Sequence, residues 1–208
     1  MKTVIPDFNF FDIPEGFDSH VRSQLPWYEL SSDMVAFIIR NYICDQGIIY
    51  DIGAASKSLR SRLESIIETR ALEYISIDSC KHFQPDILSS AEDVEYQNFD
   101  IAVINLTMMF VSVKYRKILL EKLYDKLNSG GCIIIIDKFE QDNSYLTGTM
   151  KRLTLYWKYM NGVSGEDIIK KEISLSGIQI PMSKKLLPAH ARQFFKVGEF
   201  EGFIITKE

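Results

Sequence analysis

Short apolar runs alternate along the chain with segments in which apolar residues recur at helical spacing. Three of the apolar runs predict strands that end in a polar residue, at Asp51, Asp78 and Asn105. The helical spacing predicts helices over residues 31–42, 56–69 and 113–127. Strands and helices that alternate in this way form a doubly wound, mainly parallel sheet, so we predict a Rossmann-like α/β fold.

The last third of the chain predicts a central strand and a closing hairpin. Residues 132–136 are apolar at every position, which is typical of a strand buried on both faces of a sheet. Helical spacing then predicts one helix over 146–160 and another that begins near Ser164. Two aromatic and β-branched runs, 192–197 and 200–206, are separated by two residues and predict an antiparallel hairpin.

Local chemistry marks two helix ends. Ser31 or Ser32 is a plausible N-cap for the helix over 31–42, because a serine hydroxyl can accept from an uncapped backbone N–H. The segment 128–131, Asn-Ser-Gly-Gly, can end the helix that starts at Val113, because glycine readily adopts the left-handed conformation.

The chain predicts one domain. Its 208 residues, 46% of them hydrophobic, suffice for a single full core, and no internal repeat or linker divides them. We interpret residues 1–18 as an irregular N-terminal arm and residues 19–208 as the folded domain.

Composition and charge narrow the functional classes. The net charge of −4 argues against a protein that mainly clamps a phosphate backbone, so direct binding of nucleic acid is not indicated. Cys44, Cys80 and Cys132 lack metal-ligand spacing and the three histidines are far apart, so no metal site is expected. Unpaired cysteines, no signal peptide and no apolar run of about 18 residues favour a cytoplasmic protein without a membrane span.

The strand, turn and helix around residues 47–59 form the first candidate site. Gly53 leaves room for a ligand at the turn, and the amides of Ala54 and Ala55 can face the crevice at a helix N-terminus. A pyrophosphate cofactor is disfavoured because the further glycines of a dinucleotide-binding turn are missing. A nucleoside with an amino-acid tail, such as S-adenosylmethionine, demands a less close approach.

Three further polar residues follow where strands of the predicted sheet meet loops. Asp78 can accept hydrogen bonds from both ribose hydroxyls. Asp86 can accept from the adenine amino group while Ile87 packs on the ring. Asn105 can close the crevice with its side-chain amide. Because carboxyl ends of parallel strands share one edge, we expect these groups to lie together.

These residues and several longer stretches carry a family resemblance over about residues 21–184. The chain resembles the class I S-adenosylmethionine-dependent methyltransferases and, among them, the carboxy-S-adenosyl-L-methionine synthases that serve wobble-uridine modification in tRNA. The similar stretches are 22–28, 50–53, 77–78, 85–87, 105–110, 128–131, 137–139 and 161–164. The Asn-x-Thr-x-x-Phe stretch that begins at Asn105 is more specific than the glycine turn.

The resemblance implies a cofactor, a reaction and an assembly. The implied cofactor is S-adenosyl-L-methionine or its carboxylated form, and the implied reaction is prephenate-dependent carboxylation of the cofactor's methyl group. A homodimer acting on a small molecule is also implied. Position by position, the implied cofactor contacts are Tyr28, Gly53, Ala54, Ala55, Asp78, Ser79, Asp86, Ile87 and Asn105.

This chain departs from the family at two places. Where the family has an arginine that holds the added carboxylate, the chain has Glu172, which would repel it. Asp78 and Asp86 are only eight residues apart, so the family's helix between them does not fit. We associate three residues with the substrate: the cations Arg22 and Lys171, and Glu172.

Three functions therefore stay open. The first is a transferase similar to carboxy-S-adenosylmethionine synthase, and the second is a methyltransferase of a small molecule or nucleic acid. The third is a non-catalytic module that binds the cofactor or a partner. No acid–base pair stands out, so no catalytic residue is assigned.

Overall fold

A computed structural model of the protein describes residues 16–208, and its centre is one seven-stranded sheet. The strands are β1 (Ile48–Ile52), β2 (Glu73–Asp78), β3 (Ile87–Leu88), β4 (Phe99–Asn105), β5 (Leu127–Lys138), β6 (Arg192–Val197) and β7 (Phe200–Thr206). Their order across the sheet is β3-β2-β1-β4-β5-β7-β6. The first five are parallel, whereas β7 runs antiparallel to both β5 and β6. The predicted doubly wound sheet with a C-terminal antiparallel hairpin is confirmed.

Within residues 16–208, six α-helices accompany the sheet. They are α1 (Phe17–Gln24), α2 (Tyr28–Tyr42), α3 (Ser58–Thr69), α4 (Val113–Lys126), α5 (Ser144–Met160) and α6 (Gly165–Ser174). The hydroxyl of Ser164 caps α6 by accepting from the backbone N–H of Asp167, so the predicted start of this helix is confirmed.

The core has two layers because side chains alternate between the faces of the strands. On one face, Ile49 of β1 packs in a cluster with Ile39 of α2 and Leu63 of α3. On the other face, Ile52 packs in a cluster with Leu119 of α4. Residues 132–136 of β5 contribute to both clusters and are all at most 1% exposed, as expected for a central strand.

The structure corrects both predicted helix ends. Ser31 and Ser32 do not cap α2, because the helix begins at Tyr28 and both hydroxyls donate to the carbonyl oxygen of Tyr28. The segment 128–131 does not itself end α4, because the helix ends at Lys126 and the chain enters β5 at once; Gly130 within it does adopt the predicted left-handed conformation, with a φ of +82°. Gly131 suits this strand, since a Cβ there would lie 2.4 Å from the carbonyl oxygen of Asp100.

Most of the predicted N-terminal arm, residues 1–15, lies outside the described residues. The end of that arm is helical, since α1 begins at Phe17.

Between Asp78 and Asp86 the chain forms only a short 3-10 helix, Lys81–Phe83, in agreement with the prediction that no full helix fits there. Across residues 16–208, every helix is too short or too polar to cross a membrane.

Candidate functional site

A cavity of about 320 Å³ opens at the carboxyl edge of β1, β2 and β4. This is the edge at which doubly wound sheets bind ligands. Of the nine predicted cofactor contacts, the structure brings seven to the cavity wall: Tyr28, Gly53, Ala54, Ala55, Asp78, Ser79 and Asn105. The chain therefore gathers most of the predicted set in one place.

Gly53 is required for a different reason from the one that the sequence suggested. Its φ is +74°, and a Cβ would lie 2.1 Å from Oγ1 of Thr107. The same hydroxyl lies within hydrogen-bond distance of the carbonyl oxygens of Ile52 (3.2 Å) and Asn105 (3.0 Å). The expected room for a ligand at Gly53 is thus occupied by Thr107, which ties the end of β1 to the end of β4.

The turn after β1 holds strained backbone. Ala55 and Lys57 have positive φ angles of 42° and 58°, and Leu106 beyond β4 has 56°. Lys57 precedes α3 without a side-chain cap, and the first helical residues, Ser58 and Leu59, line the cavity. Backbone strain of this kind costs about 1–3 kcal/mol for each residue and is concentrated at binding sites.

Asp78 organises the cavity wall at the end of β2. One carboxylate oxygen accepts from the backbone N–H of Ala55 (3.0 Å) and the other from the N–H of Cys80 (2.8 Å). Each oxygen keeps capacity for a further hydrogen bond, because a carboxylate has about four acceptor positions. Asp78 can therefore hold the turn and accept from a ligand's hydroxyl groups at the same time.

Asp51 belongs to the first candidate site and lines the cavity, but it was not among the predicted cofactor contacts. It is the penultimate residue of β1, is 4% exposed and accepts a short hydrogen bond from the hydroxyl of Tyr74. Burial raises the pKa of Asp51 to about 6. The sequence signal that could have placed Asp51 among the contacts is that it, like Asp78, is the polar residue after an apolar run.

Asn105 ends β4 and lines the cavity. Its side-chain oxygen Oδ1 is buried and accepts no hydrogen bond from the described residues. A buried amide oxygen without a donor is costly, so this atom is suited to a ligand that brings one.

The structure does not bring Asp86 and Ile87 to the cavity. Asp86 accepts from the backbone N–H (2.8 Å) and the hydroxyl (2.5 Å) of Ser76. Burial alone would raise the pKa of Asp86, but these hydrogen bonds outweigh it and the pKa is lowered. The physical reason for the misplacement is that β3 begins only at Ile87, so its carboxyl end lies at Leu88, after both residues.

Helix α1 covers the cavity, which the sequence did not reveal. Phe17 and Val21 line it, and the ring of Phe17 packs edge-on against Phe83 at 5.2 Å between centroids. The hydroxyl of Ser56 makes a short hydrogen bond to Asp18, which fastens α1 to the turn after β1. This helix is placed to shield a bound ligand from water.

Of the three residues associated with the substrate, Arg22 lies apart from the cavity wall. Its Nε is 2.5 Å from the carboxylate of Glu29, and both side chains are nearly half exposed. This pairing raises the pKa of the guanidinium. The structure therefore gives Arg22 a surface ion pair and does not place it among the residues that line the cavity.

Lys171 and Glu172 belong instead to a half-buried charge cluster formed by α1, α5 and α6. One carboxylate oxygen of Glu172 lies 3.1 Å from Nζ of Lys158, and the other lies 3.1 Å from Nζ of Lys151. Nζ of Lys171 lies 3.4 Å from Nε2 of His20, next to the cavity residue Val21. Glu172 thus accepts from two lysines on the side of the molecule where α1 meets the cavity.

Burial and neighbouring charges together shift the pKa values in this cluster. Burial, with a contribution from Lys158, lowers the pKa of Lys171 to about 8. Burial, Lys171 and Lys158 lower the pKa of His20 to about 4, so this imidazole is neutral at pH 7. Burial would raise the pKa of Glu172, but the neighbouring lysines outweigh it and keep the carboxylate charged.

Comparisons with known proteins agree with this fold. No protein-family model matches the chain. A carboxy-S-adenosyl-L-methionine synthase of Shewanella piezotolerans is 29% identical over 200 residues, covering 85% of this chain and 80% of the relative. A protein with the same name from Staphylococcus epidermidis is 24% identical and covers 92% of each chain. The resemblance predicted from the sequence is therefore confirmed.

Solved structures show the same architecture at lower identity. A putative S-adenosylmethionine-dependent methyltransferase of Methanococcus maripaludis has a TM-score of 0.52 and 16% identity, covering 95% of this chain and 94% of its own. Human N-acetylserotonin methyltransferase, solved in complex with S-adenosylmethionine, has a TM-score of 0.54 and 16% identity. The match covers 88% of this chain and 53% of the human chain. These likenesses establish a methyltransferase fold.

Proposed function

We propose that this chain is a transferase that binds S-adenosylmethionine in the cavity at the carboxyl edge of β1, β2 and β4. The observation that carries the proposal is the convergence of Gly53, Asp78 and Asn105, each at its own strand end, on one cavity. The synthases that the chain resembles and the methyltransferases that share its fold support the same cofactor.

The cavity residues fit the chemical groups of that cofactor. Asp78 has acceptor capacity for the ribose hydroxyls. The buried Oδ1 of Asn105 needs a donor, and the amino-acid part of the cofactor carries an ammonium group. The N-terminus of α3 has no side-chain cap, and its backbone N–H groups favour a carboxylate.

When bound, S-adenosylmethionine supplies an electrophilic carbon on its sulfonium. The chain's residues then have to bind it, orient it and exclude water. Asp78 and Asn105 orient the ligand from the sheet, and α1 covers it through Phe17 and Val21. This division of work explains a site without an obvious acid–base pair.

The charge cluster distinguishes two reactions. Synthesis of carboxy-S-adenosylmethionine is favoured by the names of the curated relatives and needs cations for the added carboxylate. In this chain the carboxylate of Glu172 already accepts from Lys151 and Lys158. We therefore favour methyl transfer to an acceptor, with carboxylation of the cofactor as the second candidate.

Mass spectrometry of the small molecules released from freshly purified, denatured protein tests both proposals. S-Adenosylmethionine or S-adenosylhomocysteine is the expected ligand. Carboxy-S-adenosylmethionine would establish the second candidate instead. A protein that is purified without any of these three compounds, and that binds none of them when they are added, would contradict the proposal. That result would favour a non-catalytic partner-binding module.

We also propose that the chain forms a homodimer through the outer face of α5 and α6. This face exposes large apolar side chains: Tyr156, Tyr159 and Met160 on α5, and Ile169 and Ile173 on α6. Contiguous exposed apolar surface marks interaction sites more often than ordinary solvent-facing surface. Light scattering coupled to gel filtration tests the proposal, and a monomer at micromolar concentration would contradict it.

A further inference from the structure

The charge cluster of α1, α5 and α6 places one lysine among other cations. Nζ of Lys171 lies 3.4 Å from Nε2 of His20. The adjacent residue Glu172 has one carboxylate oxygen 3.1 Å from Nζ of Lys158 and the other 3.1 Å from Nζ of Lys151. The negative charge beside Lys171 is therefore shared with two further lysines, which weakens its support for a third ammonium group.

The surroundings of Lys171 favour its neutral amine. Burial and the charge of Lys158 lower the pKa of Lys171 to about 8, and the opposing effect of Glu172 is smaller. At pH 8 about half of the Lys171 side chains are then neutral, whereas less than about 1% of ordinary lysines are. The neutral amine is the nucleophilic form, and a neighbouring cation is one of the ways in which proteins activate a lysine.

The preceding residue, Lys170, is a lysine in an ordinary environment. Its Nζ lies 2.7 Å from the carboxylate of Glu166, one turn earlier in α6, and its side chain is 62% exposed. This ion pair raises the pKa of Lys170. Two adjacent lysines of one helix thus differ in their charge environment, which provides an internal control for the reactivity of Lys171.

The cluster also favours an electrophile that carries negative charge. Lys151, Lys158 and Lys171 carry more positive charge than the carboxylate of Glu172 offsets. Lys151 is 55% exposed and Lys171 is only partly buried, so a small anion can reach both from solvent. An acyl phosphate combines an anionic phosphate, which lysines bind, with an acyl carbon that an amine attacks.

We propose that Lys171 is an acylation site that takes its acyl group from small acyl phosphates. The Lys171 nitrogen forms a bond to the acyl carbon, and the bond between that carbon and the phosphate oxygen breaks. Phosphate leaves with the electron pair of the broken bond, and the proton released from nitrogen passes to water. The amide product is uncharged, so the reaction removes one positive charge where α6 meets His20 of α1. This site does not depend on what the cavity binds.

Incubation of the native full chain with acetyl phosphate at pH 8 tests the assignment. Tandem mass spectrometry of the peptide that contains both lysines gives the two acetylation rates. Lys171 should react about tenfold or more faster than Lys170, because its larger neutral fraction outweighs its partial burial. In concentrated urea the two rates should become equal, because unfolding removes the cluster. With uncharged acetic anhydride the native ratio should be smaller than with acetyl phosphate.

A variant tests the contribution of the neighbouring cation. Lys158→Gln removes one positive charge beside Lys171, so acetylation of Lys171 should slow by about threefold or more. Lys117→Gln is the matched control, because Lys117 belongs to an exposed ion pair on α4 and its loss should leave the rate unchanged. Thermal unfolding of both variants establishes that they are folded.

Four results would overturn the proposal. The first is an equal rate at Lys170 and Lys171 in the native chain, which also decides the matter if Lys158→Gln does not fold. The second is a faster rate at Lys171 that persists in urea, because local sequence would then be the cause. The third is a folded Lys158→Gln variant that reacts at the wild-type rate. The fourth is the same ratio with acetic anhydride as with acetyl phosphate, which would exclude recognition of the phosphate.

Discussion

Nζ of Lys158 lies 3.1 Å from the carboxylate of Glu172, and the lysine side chain is 7% exposed. A cation this deeply buried needs a counter-ion, and Glu172 supplies it from within the chain. A ligand carboxylate at this place would have to compete with Glu172 for Lys158. This relationship separates the chain's expected ligand preference from that of the synthases it resembles.

Glu172→Gln should therefore shift the preference between two cofactors. The amide keeps an acceptor for Lys158 but removes the negative charge, so carboxy-S-adenosylmethionine should gain about tenfold in affinity relative to S-adenosylmethionine. Titration calorimetry with both ligands measures the ratio. Glu166→Gln, which removes a charge from an exposed pair on the same helix, is the control. An unchanged ratio in Glu172→Gln would show that Glu172 does not govern this choice.

Asp78→Ala should weaken binding of S-adenosylhomocysteine by about 10-fold to 100-fold, the loss expected for hydrogen bonds to a charged acceptor. Because Asp78 also accepts from Ala55 and Cys80, thermal unfolding of the variant should be measured beside calorimetry. Asp78→Asn, which keeps one acceptor oxygen, should bind with intermediate affinity. Full affinity in a folded Asp78→Ala variant would exclude the ribose assignment.

Gly53→Ala should destabilise the fold by more than about 2 kcal/mol, because it adds a strained positive φ to a clash with Thr107. Urea denaturation measures the loss. The loss should be smaller by about 1 kcal/mol in a Thr107→Ala background, which removes the atoms nearest to the new Cβ.

Gly148→Ala serves as the control for this substitution. The added Cβ in α5 meets only Arg152 at 3.8 Å, so the variant should be as stable as the wild type or gain up to about 1 kcal/mol from helix propensity. A Gly53→Ala variant as stable as Gly148→Ala would contradict the packing of Thr107 over the turn.

Alkylation of Cys80 should report occupancy of the cavity. Cys80 lines the cavity, Cys44 is exposed, and burial raises the pKa of Cys132 to about 12. In a Cys44→Ser variant, iodoacetamide should react mainly at Cys80. S-Adenosylhomocysteine at about 100 times its Kd should slow that reaction by up to about 100-fold, because only the unliganded fraction reacts. Equal rates with and without ligand, read by peptide mass spectrometry, would place the ligand elsewhere.

Asp137 should make stability depend on pH. Burial raises its pKa to about 7, although it accepts from the backbone N–H groups of Lys138 and Met109. Between about pH 4 and pH 7 the unfolded chain releases this proton before the native chain does, so the stabilising contribution falls as the pH rises. Asp137→Asn does not titrate, so its stability relative to the wild type should increase across this window. A difference in unfolding free energy that is independent of pH would contradict the raised pKa.

The strands that carry the site were predictable because their apolar runs end abruptly in polar residues. Asp78 and Asn105 follow such runs, and the sheet's parallel order places their ends at one edge. Thr107 over Gly53 was not predictable, because the contact joins residues 54 positions apart through the packing of β1 against β4.

The segment beside β3 shows where sequence reasoning failed. Asp86-Ile87 had the right chemistry for an adenine site, but β3 is only two residues long and starts at Ile87. Apolar periodicity cannot define so short a strand, so its carboxyl end could not be located. The structure moves the wall to 89–92, where Ser90 and Glu92 carry the polar groups.

Titration of the purified full chain, freed of bound small molecules, with S-adenosylhomocysteine is the most direct test of the cavity as a cofactor site. The account predicts saturable binding of one ligand per chain, weakened by at least about tenfold in Asp78→Ala and unchanged in the surface variant Glu95→Gln. No saturable binding to the wild type at millimolar ligand, or binding that Asp78→Ala leaves intact, would contradict it.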